Sequence, residues 1–64
     1  MQITFLPQRR QVEIPGRRRV RDLLKDLGLL SGTVMVIRND ELMTEEDVVG
    51  GDDSIEIRSV ISGG

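Results

Sequence analysis

The sequence predicts an α+β domain in which a mixed sheet of four to five strands packs on one helix. Three observations predict it. Short alternating runs stand on either side of a single helical stripe. That helix has only one sheet face to cover, which excludes a doubly wound sheet. And 64 residues allow one core and no second domain.

"MQITFL" sets Ile3 and Phe5 against Gln2 and Thr4, the alternation of a half-buried strand. "PQRR" is a polar turn. "RQVEI" then alternates again, with Val12 and Ile14 on one side. The pair reads as an antiparallel hairpin. It lacks Asn-Gly, so its loop should exceed two residues. Pro15-Gly16 stops the second strand. The period then changes. Val20, Leu23, Leu24 and Leu27 form the stripe of an amphipathic helix, and Gly28 is placed as its left-handed stop. Arg19 is a poor N-cap, partly offset by Asp22 in the first turn. "TVMVIR" is almost continuously apolar from Val34 to Ile37, which predicts a central strand buried on both faces. Asn39-Asp40 is a tight turn and "ELM" a short return. "TEEDVV" reads as a single turn capped by Thr44, with Val48 and Val49 inward. "SIEIRSVI" is the last strand, with Ile55, Ile57 and Ile61 facing in. "SGG" has nothing to pack and should be mobile. Residues 1–61 are therefore expected to be the single domain and residues 62–64 a flexible tail. A mixed sheet gripping one helix is the β-grasp, or ubiquitin-like, architecture.

Composition limits the chemistry. A chain this short buries only about 60 % of its unfolded surface, and with no cysteine it has no disulfide to help. With neither cysteine nor histidine, a His/Cys metal site, a Cys-His pair and a Ser-His-Asp triad are all excluded. No apolar stretch approaches the roughly 20 residues of a membrane span and no secretory signal is visible, so the expected location is the cytoplasm. The net charge of −2 is unevenly spread: seven of nine basic residues lie within 1–25 and nine of eleven acidic ones within 26–64. "PGRRRVR" could hold phosphates, but no aromatic lies near it to stack a base, so nucleic acid is a disfavoured partner and a solvated loop or a patch for an acidic partner is preferred. The acidic residues Asp40, Glu41, Glu45, Glu46, Asp47, Asp52 and Asp53 lack the ligand spacing of a calcium loop and read as a solvated face. No metal site is predicted.

From the helix stripe "VRDLLKDLGL", the strand-turn segment "VMVIRNDEL" and above all the end "DSIEIRSVISGG", the chain resembles the ubiquitin-like sulfur carriers and small modifiers of the ThiS/MoaD type. The resemblance covers essentially the whole length. Asp40 replaces the usual turn glycine, Asp52 stands where a glycine usually precedes the aspartate, and Ser62 precedes the Gly-Gly. The aromatic- and proline-containing tail of the molybdopterin synthase subunit is absent.

The resemblance implies that the chain is not an enzyme and binds no cofactor. It implies that the Gly64 carboxylate is the reacting group, adenylated with ATP by a ubiquitin-activating-type adenylyltransferase. Sulfur then displaces AMP to give a thiocarboxylate, which a sulfur-accepting enzyme uses on a thiazole, a tRNA base or a pterin. Alternatively an amine displaces AMP, and Gly64 is joined to a lysine of a target protein. A regulatory module with an unused tail is the remaining reading. By the same resemblance Gly63 is the required neighbour and Ser62 a tail contact. Glycine suits a narrow channel because it has no Cβ and accepts φ values closed to other residues. Average glycine usage of about 7 % makes a chance Gly-Gly at one place roughly a 0.5 % event. Arg58 and Val60 of the last strand, with Met35 and Arg38 of the central one, are candidates for docking the activating enzyme. Lys25, the only lysine, or the Met1 amino group, is the candidate acceptor if the chain conjugates to itself.

Overall fold

The computed structural model describes residues 1–60. Along the chain come β1 (Gln2–Leu6), β2 (Arg10–Glu13), β3 (Arg18–Arg19), α1 (Val20–Asp26), a 3-10 turn (Ser31–Thr33), β4 (Val34–Arg38), β5 (Glu41–Leu42), β6 (Val48–Val49) and β7 (Ser54–Ser59). Five of the strands form one sheet in the order β2-β1-β7-β4-β5. β1 and β7 run parallel and the other pairs antiparallel. This is the mixed sheet on one helix of the β-grasp fold. The core gathers Ile3, Val20, Leu23, Leu24, Val36, Val49, Ile55 and Ile57 with Met1 and Met43, so the inner face of the sheet and the apolar stripe of α1 are buried against each other. Leu27 and Leu29 close the packing at the end of the helix.

Both ends of α1 are satisfied by backbone. The Leu29 N–H donates to the Leu24 carbonyl (2.8 Å) and the Gly28 N–H to that of Lys25 (3.0 Å). This is the Schellman pattern, and it requires the left-handed φ of +73° that Gly28 adopts. Arg19 makes no side-chain cap. Instead the Val20 and Arg21 N–H groups donate to the carbonyls of Asp47 (2.9 Å) and Glu45 (3.1 Å). A distant turn therefore supplies acceptors for two donors that a helix start leaves orphaned. Asn39 and Asp40 both have positive φ, 53° and 65°, the conformation that a two-residue hairpin turn demands and that Asp tolerates better than most residues.

Several expectations are corrected. β7, not β4, is the middle strand. β4 is not buried on both faces: only Val36 is fully buried, because the single helix covers one side and no second layer covers the other. Val48 points outward and Val49 inward, because the two residues form a strand and adjacent strand side chains alternate. That strand pairs with β3 (Arg18↔Val49, Arg19↔Val48), so the arginine stretch is not a free loop. Arg18 bonds Asp26 and the Pro15 carbonyl, and Glu46 takes both Arg19 (3.5 Å) and Arg21 (3.7 Å). The acidic stretch is likewise not wholly solvated. Asp47 accepts the Thr44 N–H at 2.7 Å, so at this turn the aspartate, not the threonine, supplies the capping oxygen. Gly50 (φ +152°) lies behind this small sheet, where a Cβ would stand 2.6 Å from the Arg17 Cα. No other residue fits there without moving the backbone.

Candidate functional site

The end of β7 is held on both flanks. β1 pairs it in parallel up to Leu6↔Arg58. β4 pairs it antiparallel up to Val34↔Ser59. The Val60 N–H donates to the Thr33 carbonyl at 3.0 Å. The chain beyond Val60 is thus launched from a fixed point in the middle of the sheet. Ile61, Ser62, Gly63 and Gly64 lie outside the described residues.

Strand alternation puts Ile55 and Ile57 of β7 against the helix and Ser54, Glu56 and Arg58 on the open face. Arg58 lies directly opposite Met35 of β4 and Leu6 of β1. Its guanidinium reaches Glu56 at 3.4 Å and remains half exposed. Met35 is 37 % and Val60 48 % exposed. Three of the four docking candidates therefore gather at the end of the sheet from which the chain continues.

Arg38 is not among them. It has the inward parity of Val34 and Val36, and at the far end of β4 its guanidinium binds Asp53 at 3.1 Å and the Val48 carbonyl at 3.2 Å. Asp53 also accepts the Gly50 N–H at 2.9 Å. The Gly50 N–H foremost, and the Arg38 guanidinium with it, hold the Asp53 carboxyl below its ordinary value against a smaller opposing effect of desolvation. Arg38 and Asp53 form a structural clip.

Lys25 is exposed in the last turn of α1. The Met1 ammonium is engaged: it donates to the Ile14 carbonyl at 2.7 Å and pairs with Glu13 at 3.0 Å, and Met1 is buried. Sequence reasoning missed Leu42, which is 61 % exposed and directly opposite Ile37 on the same open face. Its signal was the alternation of β4 itself: once Val36 is inward, Met35, Ile37 and the partner of Ile37 must be outward. The open face thus carries an apolar strip, Met35, Ile37 and Leu42, beside the charged pair Glu56–Arg58. Such a strip on a sheet with no second layer is suited to docking. Among the described residues, no group of three or more acidic side chains is arranged to hold a metal ion, and no helix is long and apolar enough to cross a membrane.

This geometry has relatives. The chain is 48 % identical over 59 residues to "Sulfur carrier protein TtuB" of Thermus thermophilus, across 92 % of this chain and 91 % of that one. It superimposes on the NMR solution structure of a thiamine biosynthesis protein from Geobacter metallireducens with a TM-score of 0.62 at 25 % identity, covering 100 % of this chain and 88 % of the other. Residues 2–64 match the family model described as the ThiS family.

Proposed function

The chain belongs to the ThiS family, and on that premise we propose that it is a sulfur carrier whose Gly64 carboxyl is the sulfur-bearing end. The observation that carries this reading is the 48 % identity, over nearly the full length of both chains, to a protein named as a sulfur carrier. The chain is then a carrier and not itself an enzyme. It works with an activating enzyme and a sulfur-accepting enzyme.

In the proposed cycle the Gly64 carboxylate attacks the α-phosphorus of ATP on the activating enzyme. Pyrophosphate leaves and an acyl adenylate forms. A sulfur nucleophile supplied by a partner then adds to the carbonyl carbon and AMP departs. Where that nucleophile is a persulfide of the partner, an acyl disulfide forms; a second thiol of the partner then attacks its S–S bond, so that the partner is left as a disulfide and the chain ends in a thiocarboxylate. Transfer of that sulfur to an acceptor, with water supplying the replacing oxygen, returns the carboxylate. This chain's own contribution is positional. A terminal glycine leaves the carbonyl carbon unhindered, and β7, paired on both sides up to Arg58, gives the reacting end a rigid base. The open face around Met35, Arg58 and Val60 is the proposed docking surface for the activating enzyme.

Mass spectrometry on protein from its native cell tests this. Arg58 is the last tryptic site, so the terminal peptide is "SVISGG". A mass gain equal to one oxygen replaced by sulfur is the expected result. Absence of that gain under both sulfur-replete and stressed growth would overturn the carrier reading. The modifier reading has no specific observation in its favour, and the same spectra examine it: the six residues would appear branched on a lysine.

A further inference from the structure

β2 is the outer strand of the sheet, and its free edge is well defined. Met1 and Ile14 exchange both backbone hydrogen bonds, 2.7 Å and 2.9 Å. By antiparallel alternation Ile3↔Val12 and Phe5↔Arg10 are bonded pairs too, and Gln11 and Glu13 must turn their N–H and C=O groups away from β1. Alongside this edge, between β2 and the C-terminal end of α1, runs a groove of about 330 Å³ lined by Phe5, Val12, Leu27 and Leu29, with Gln8 and Arg10 at its mouth. Arg9 and Arg10 are exposed, and neither has an acidic partner among the described residues. The one acidic side chain of β2, Glu13, is already paired with the Met1 ammonium.

We propose that the free edge of β2 and the groove beside it form a docking site for an extended segment of a partner protein, in which alternate aliphatic residues adjoin acidic ones. Such a segment would add a sixth strand. The outward groups of Gln11 and Glu13 supply the ladder. Val12 and Arg10 face the groove side, so every second residue of the segment drops its side chain between β2 and α1. Arg10 in the groove lining, with Arg9 next to it in the chain, sets the required charge: the acidic residues lie at that end. This edge stands three strands away from β4, with β1 and β7 between. A partner held here leaves the Met35–Arg58 face open, and both can be occupied together. The site does not involve Gly64, so it stands or falls independently of the sulfur-carrier reading.

The test is a titration of the isotope-labelled full chain, followed by amide NMR. The probe is a synthetic peptide with three alternate Val or Ile residues followed by three Glu, and the control carries Lys for Glu. Expected are shifts and slowed exchange at the Gln11 and Glu13 amides, shifts at Leu27–Leu29, and no binding of the Lys peptide. Reversing both arginines (Arg9→Glu, Arg10→Glu) should weaken binding about tenfold, the scale of two exposed ion pairs. Gln11→Pro removes an outward N–H that β1 does not use and should abolish binding. If its thermal melt shows that it does not fold, the arginine reversal decides. The proposal is overturned if millimolar peptide shifts nothing, if the shifts fall on Met35 and Arg58, or if the Lys peptide binds as well. It is also overturned if an RNA oligonucleotide perturbs Arg9 and Arg10 while the peptide leaves Gln11 and Glu13 unmoved.

Discussion

The two faces of the five-stranded sheet are built from the same strands and do opposite work. On the inner face Ile3, Val36, Ile55 and Ile57 are all but inaccessible, each removed from water by α1. On the outer face Gln2, Thr4, Glu56 and Arg58 alternate with them in sequence, and Met35, Ile37 and Leu42 form an apolar strip with no layer above it. The inner face supplies stability, since burial of apolar area is the dominant favourable contribution to folding. The outer apolar strip supplies little, and this explains how a sheet covered on one side only can still carry Met and Leu in the open. Their exposure is accounted for by the docking role proposed above.

The largest test of this contrast is at Ile55. Ile55→Ala should cost about 2–5 kcal/mol, a large share of the total stability of a domain this size, read as a fall in the urea midpoint with the slope unchanged. An intermediate effect is expected at the rim of the inner face, where Arg38 meets Asp53. The folded-state carboxyl of Asp53 sits below its ordinary value. The stabilisation it provides is therefore fully present above the unfolded carboxylate value of about 4, and is lost as pH falls through the lower folded value. Asp53→Asn should lower stability at neutral pH and flatten the acid limb of the stability curve, checked by thermal melts from pH 7 down to pH 2. An unchanged acid limb would remove Asp53 from its proposed role. The smallest effect belongs to the outer face. Met35→Ala should move stability by no more than about 0.5 kcal/mol and yet, on the proposed function, weaken engagement of the activating enzyme, seen as a raised KM for the carrier. If it destabilises as much as Ile55→Ala, the two faces are not divided as described.

Much of the fold is legible in the residues. Val20, Leu23, Leu24 and Leu27 announce the helix, and Gly28 its end, because both are local signals: a repeat of 3.6 and a residue that tolerates positive φ. The alternation of β1 and β7 is equally local. The pairing of Arg18–Arg19 with Val48–Val49 was not legible. Two-residue strands have no period, and the pairing spans about thirty residues of chain. The same gap explains Arg38. Nothing near it in sequence names Asp53 as its partner, whereas Arg58, Met35 and Val60 follow from parity alone. The apolar run of β4 misled for a different reason: continuous apolarity is the mark of two-sided burial, and here its second side is an open surface. Gly50 carries no local sign either, since its need arises from the Arg17 backbone behind it.

The position of β7 has a mechanical consequence. A strand at the margin of a sheet can be peeled, one hydrogen bond failing after another. β7 is bonded along both flanks, to β1 running with it and to β4 running against it. A pull on the residues beyond Val60, directed along the strand, therefore loads two ladders in shear at the same moment. A partner that draws the end of this chain into a channel meets the resistance of the whole sheet, and the domain can be handled by its end without being unravelled from it.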